Sequence, residues 1–186
     1  MTREELEHII RASADITNQY EFVIVGSQSI LGSVPSPEAA FTMSMEADIY
    51  PLQAPELADE IEGAIGEGSI FHLQNGYYAQ GVGPDTAILP TDWMARVCRV
   101  QNDNTKDRIG YCLDVHDLFL AKAAAGREKD REYCMALFEY SYVTSKEVLK
   151  MVPTMPIDSK EQRTLSATIR RWAKAVRDPR HDIPED

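Results

Sequence analysis

Cysteine is scarce in this chain. Cys98, Cys112 and Cys134 are odd in number and far apart, with no Cys-x-x-Cys spacing. That excludes a disulfide framework and a cysteine zinc site, and leaves reduced, mostly buried thiols. His8, His72, His116 and His181 are as dispersed, so histidine gives no local support for a metal site. No apolar run approaches the roughly 20 residues that span a bilayer. The N-terminal stretch Met1-Thr-Arg-Glu-Glu-Leu-Glu-His8 lacks the apolar core of a secretory signal, so no membrane association and a cytoplasmic location are expected. Positive charge is also short. A net charge of −11 argues against non-specific nucleic-acid binding by the surface as a whole, while leaving room for a local basic groove or a basic protein partner.

What is present is an ordinary globular composition, 44% hydrophobic and 26% charged, over 186 residues, enough for one domain or a core with a helical appendage. Thr2-Arg-Glu-Glu5 has capping-box form, and Leu6, Ile9, Ile10 and Ser13 follow helical spacing, so residues 3–17 are read as an amphipathic helix. Residues 21–25 form an apolar strand broken by Gly26, and residues 28–31 a short helix stopped at Gly32. A second strand is read over 42–50, and a helix from Pro55 to Ile65 that ends at Gly66. Residues 70–73 and 77–82 read as two strands of a hairpin turning at Asn75-Gly76. A short strand follows over 96–100.

Beyond the polar loop 102–107 the pattern turns helical. Helices are expected over 115–125 behind Asp114, from about Arg127 through Tyr140, from the capping box Thr144-Ser-Lys-Glu147 to Lys150, and over 158–176. The boundaries that result are an α+β core over 1–105, a helical C-terminal part over 106–178 packed on it, and a flexible tail over 179–186.

Three groups of residues carry possible chemistry. The strand ending in Gly26-Ser27 makes a turn whose backbone can approach a phosphate and whose amides and hydroxyl can donate to it. Glu46 and Asp48 stand at i and i+2 of a strand and so share a face. Two such carboxylates repel unless a cation lies between them, and Mg²⁺ takes this kind of oxygen ligand; a solvated strand face fits the same spacing. Lys122, Arg127, Lys129 and Asp130 lie in a charged run that is either a salt-bridged helix surface or the cationic wall of a cleft. Asp117 fits a helix-start acid or a partner for Lys122.

Strand, Gly-Ser, short helix, then acid-x-acid on a strand resembles the polymerase-β-type nucleotidyltransferase superfamily. The runs Leu89-Pro-Thr-Asp-Trp-Met-Ala-Arg96, Leu113-Asp-Val-His-Asp-Leu-Phe-Leu-Ala-Lys122 and Ala125-Gly-Arg-Glu-Lys-Asp130 resemble a bacterial nucleotidyltransferase-like family of unassigned function, with relatives in toxin–antitoxin and phage-defence gene pairs. The resemblance covers about residues 20–140. It implies an α+β fold, a nucleotidyltransferase-like mixed sheet flanked by helices with a helical C-terminal part. It also implies that Gly26 and Ser27 hold the triphosphate of an NTP and that Glu46 and Asp48 ligate Mg²⁺. Lys122, Arg127 and Lys129 would meet the phosphates, with Asp130 orienting one of these cations.

The sequence departs from the family pattern in three ways. The first acid is Glu46 rather than aspartate, no basic residue stands in Phe41-Thr-Met-Ser-Met45, and residues 70–82 hold no third carboxylate, Asp85 and Asp92 falling in loops. Two functions therefore stand side by side: transfer of a nucleoside monophosphate to RNA or protein, or a catalytically degenerate binding module such as the acidic partner of a cognate toxin. Small-molecule modification fits the fold but has no pocket signal. The last helix collects Lys160, Arg163, Arg170, Arg171, Lys174 and Arg177, which suits an RNA backbone or a plain solvated helix.

Overall fold

The computed structural model describes residues 1–177. The expected tail over 179–186 and His181 lie outside the described residues. The chain divides into two units, one of Met1–Ala87 with Trp93–Asp114, the other of Ile88–Asp92 with the chain from Val115 onward.

The first unit is built on a five-stranded sheet: β1 (Glu21–Val25), β2 (Glu46–Pro51), β3 (Tyr78–Gly81), β4 (Cys98–Val100) and β5 (Ile109–Cys112), in the order β3-β2-β1-β5-β4. The sheet is mixed. β1 runs antiparallel to β2 and parallel to β5, and β3 is parallel to β2. Helices α1 (Arg3–Thr17), α2 (Ile30–Ser33), α3 (Ala39–Thr42), α4 (Ala58–Ile65) and α5 (Ile70–Asn75) complete the unit. The α+β class expected from the sequence is the observed one.

α1 begins at the Thr2–Glu5 capping box, with both reciprocal bonds made, and buries Leu6, Ile9, Ile10 and Ser13. Its Glu7 is a buried polar hub. That carboxylate pairs with Arg3 at 3.0 Å and accepts from the side-chain amides of Asn102 and Asn104 at 2.8 and 2.9 Å. Those donors outweigh burial and hold its pKa below the usual glutamate value.

Three sequence expectations are corrected here. Residues 70–73 belong to α5, not to a hairpin strand. Ser69 caps this helix by accepting from the His72 amide at 3.1 Å, and Gly76, at φ 79°, ends it. The Asn75-Gly76 pair supplies a left-handed residue, which a helix C-cap needs as much as a hairpin turn does. The second strand begins at Glu46, since residues 39–42 coil into α3 and Met43 and Met45 point to solvent. β5 was not expected at all. Gly110 sits at its centre because a Cβ there would lie 2.5 Å from the Ile10 side chain, so α1 presses directly on the strand.

The second unit is helical: α6 (Val115–Ala125), α7 (Glu128–Glu139), α8 (Ser145–Met151) and α9 (Ser159–Arg177). α9 packs on α6, α7 and α8. It buries Leu165, Ile169 and Trp172 in a core with Leu118, Phe119, Leu137 and Val148. The Thr144–Glu147 capping box opens α8 as read from the sequence. Among the described residues no helix is long and apolar enough to cross a membrane.

Candidate functional site

The strand pairing brings the first group of predicted residues together. Val25, the last residue of β1, lies opposite Asp48 of β2, so the chain turns at Gly26 directly beside the Asp48 side chain. Gly26 adopts φ 66°, and a Cβ there would stand 1.8 Å from Asp48 Oδ2. Only glycine admits both this backbone and this approach. The turn runs into a short 3₁₀ turn at Ser27–Ser29, held by Ser29, whose amide and hydroxyl both donate to the Gly26 carbonyl, the hydroxyl at 2.9 Å. Gln28 is buried, and its side-chain amide donates to the carbonyls of Phe41 and Ser44 at 3.3 Å each, tying the turn to the segment that leads into β2. Among the described residues Gln28 Oε1 has no hydrogen-bond partner.

Glu46 and Asp48 are half-buried on one face of β2, while Ala47 and Ile49 are buried on the other. The parallel register sets Tyr78 beside Glu46 and Gln80 beside Asp48 on that face. Tyr78 donates its hydroxyl to Glu46 Oε2 at 3.1 Å. Burial, and then the Glu46 charge, push the Tyr78 phenol up to about 12. The His72 ring lies 4.6 Å from that of Tyr78. Tyr78 and Gln80 are members of this face that sequence reasoning missed. Their strand was legible, but its pairing with β2 was not.

The second group assembles within the helical unit. Asp130 is fully buried and accepts from Arg127 Nε at 2.6 Å, Arg127 Nη2 at 3.3 Å and Lys122 Nζ at 3.3 Å. These cations hold its carboxyl below the usual aspartate value against the cost of burial. Lys122 is itself buried, with Nζ 4.4 Å from the centre of the Tyr133 ring. Arg127 keeps 62% of its side chain exposed, and Lys129 is exposed in the first turn of α7. The run is thus not wholly a surface ladder: Glu128–Arg131 is a surface pair at 3.2 Å, whereas Asp130 anchors two cations from inside. Asp117 is buried as well.

The model of a family described as "nucleotidyltransferase of unknown function (DUF6036)" matches residues 4–180. The chain belongs to this family. No curated protein and no solved structure matches it. In this nucleotidyltransferase family member the donor set on β2 suits a hard cation: two carboxylates on one face, with a glycine turn against one of them that leaves no side chain in the way. Mg²⁺ is commonly held by one or two carboxylates together with substrate phosphates, so Glu46 and Asp48 fit a single ion of this kind. Among the described residues there is no group of three His, Cys, Asp or Glu side chains arranged to hold a metal without substrate.

Proposed function

We propose that this chain is a Mg²⁺-dependent nucleotidyltransferase that moves a nucleoside monophosphate from an NTP to an RNA or protein acceptor. The observation that carries the reading is the close approach of Asp48 to Gly26, which puts a carboxylate beside a turn able to receive a phosphate. Glu46 and Asp48 would hold Mg²⁺. Bound there, the ion would neutralise phosphate charge and polarise the α-phosphoryl group. The Gly26–Ser27 turn would donate to the triphosphate through its backbone amides and hydroxyl. The acceptor hydroxyl oxygen, giving up its proton to solvent, bonds to the α-phosphorus as the bond from that phosphorus to the α–β bridging oxygen breaks and pyrophosphate leaves.

Melting the protein with each NTP, with and without Mg²⁺, tests this reading. Native protein should melt at a higher temperature with its nucleotide and Mg²⁺, and Asp48→Ala should lose that shift. Absence of a shift with every nucleotide overturns the proposal. Labelled NTP carried into total RNA or protein then measures transfer itself.

A second reading is a catalytically degenerate binding protein of the same fold, such as the acidic partner in a toxin–antitoxin pair. Tyr78 and Gln80 favour it, because β3 offers a phenol and an amide where a third carboxylate would complete a two-metal site. A Mg²⁺-dependent shift without any incorporation selects this reading.

A further inference from the structure

Among the described residues, the charge on α9 is arranged unlike that on the other helices. Its 19 residues carry six cations and a single acid, Glu161, in a chain whose net charge is −11. Lys160, Arg163, Arg170, Arg171 and Lys174 are all exposed. At 100° per residue they fall within an arc of about 120°, and from first to last they span about 21 Å of helix. Thr164 and Ala167 are the other residues on that arc, and Glu161 lies off it. None of the five cations makes an ion pair among the described residues.

A solvated helix does not need this arrangement. On α7 the signs alternate, and Glu128–Arg131 forms an i,i+3 pair. On α9 the pairs Lys160–Arg163, Arg170–Lys174 and Arg171–Lys174 set like charges three or four residues apart, which disfavours the helix. The opposite face is already engaged, with Leu165, Ile169 and Trp172 buried in the helical unit. It therefore has no apolar face left to enter a lipid surface. Arg163 and Arg170 also border a groove of about 440 Å³ with Ser159, Gln162 and Ser166, against Leu149, Val152 and Pro153. That groove holds donors for phosphate oxygens and no aromatic ring on which a base could stack.

We infer that this face of α9 is a docking surface for the sugar–phosphate backbone of RNA, engaging a linear run of four or five phosphates without reading sequence. The choice of RNA as the polyanion rests on the transfer reading above. The array itself does not. Arginine forks suit phosphate oxygens, and release of counterions from the backbone would drive binding.

Anisotropy of a labelled, folded RNA such as bulk tRNA, titrated with the full chain between 50 and 200 mM salt, tests the inference. The native chain should bind with a log–log salt slope of magnitude about 3 to 4. Arg163→Gln/Arg170→Gln/Arg171→Gln should lower affinity by at least about tenfold and the slope by about 2. Lys160→Gln/Lys174→Gln should do so to a smaller degree. Both variants should keep native helicity and melt at or above the native temperature, because like charges have been removed. Lys106→Gln, an exposed cation of the first unit, should bind as native.

No RNA binding at 50 mM salt overturns the inference, as does native-like binding by both α9 variants. Equal or tighter binding to duplex DNA or to vesicles rich in anionic lipid overturns the assignment to RNA. The nucleotide-induced melting shift, measured without RNA, separates this from the transfer reading. A retained shift with no RNA binding removes the docking surface alone, and RNA binding with no shift removes the transfer reading alone.

Discussion

Asp130 and Asp48 are carboxylates in different circumstances. Asp130 has no exposure and is met by two cations through three hydrogen bonds of 2.6–3.3 Å. Asp48 is half-buried within β2 opposite the end of β1, shares its face with a second carboxylate, and has a glycine where a side chain would otherwise cover it. A carboxylate already neutralised by the protein is committed to holding its cations in place. Two carboxylates on one face repel each other, and a cation between them relieves that repulsion. The same residue type is thus a fixed positioning element in one unit and a candidate ligand in the other.

The largest effect should come from breaking the first of these. Asp130→Ala removes a fully buried carboxylate from the buried Lys122 ammonium and should cost about 3–5 kcal/mol in chemical denaturation. Asp48→Asn keeps the size of a side chain that is only half-buried, and should cost less than Asp130→Ala while abolishing the nucleotide shift. A comparable loss of stability at both positions would erase the distinction. The pH dependence follows from the same geometry. The carboxyl of Asp130 is lowered in the fold, so its stabilisation is complete above the ordinary aspartate value and is lost as pH falls through the folded one. An acid titration of stability should lose that limb in Asp130→Asn.

A smaller effect is expected at the turn. Gly26→Ala combines a left-handed φ with a Cβ placed on Asp48 Oδ2, and should cost about 1–3 kcal/mol and displace the carboxylate. Its nucleotide shift should fall with that of Asp48→Ala. Native-like nucleotide binding in Gly26→Ala would show that the close approach has no part in the site.

Local chemistry made much of this legible before any coordinates. The Thr2 and Thr144 capping boxes, the apolar run into Gly26 and the alternation at Glu46 and Asp48 each declare themselves within a few residues, and each stands where the sequence put it. What failed depended on partners far away in the chain. β5 is four residues long, contains Gly110 and is defined by its parallel pairing with β1, about 90 positions earlier. The Asn75-Gly76 turn was read by its dipeptide alone, and only the preceding Ser69 cap distinguishes helix from strand there. Asp130 was legible as a partner for a cation, but not as a fully buried one gripping two, because α7 exposes its neighbours Glu128, Lys129 and Arg131.

The smallest prediction concerns Tyr78, the neutral counterpart of the cations around Asp130. Where Asp130 is met by charge, Glu46 is met by a phenol at 3.1 Å, and the bond raises the phenol rather than neutralising the acid. Tyr78→Phe should therefore cost only about 1 kcal/mol, the value of one hydrogen bond to a half-buried group. In Glu46→Gln the phenol should titrate lower than about 12, though still above an ordinary tyrosine, because burial is the larger cause of its shift. Ultraviolet titration of the native chain against this variant, with Tyr78→Phe to identify the band, measures that difference. If Glu46 holds Mg²⁺ with its nucleotide, adding both to the native chain should lower the same phenol, since a bound cation offsets the charge that raises it. An unchanged Tyr78 titration under conditions that give the melting shift would remove Glu46 from the metal site and leave Asp48 as its protein ligand.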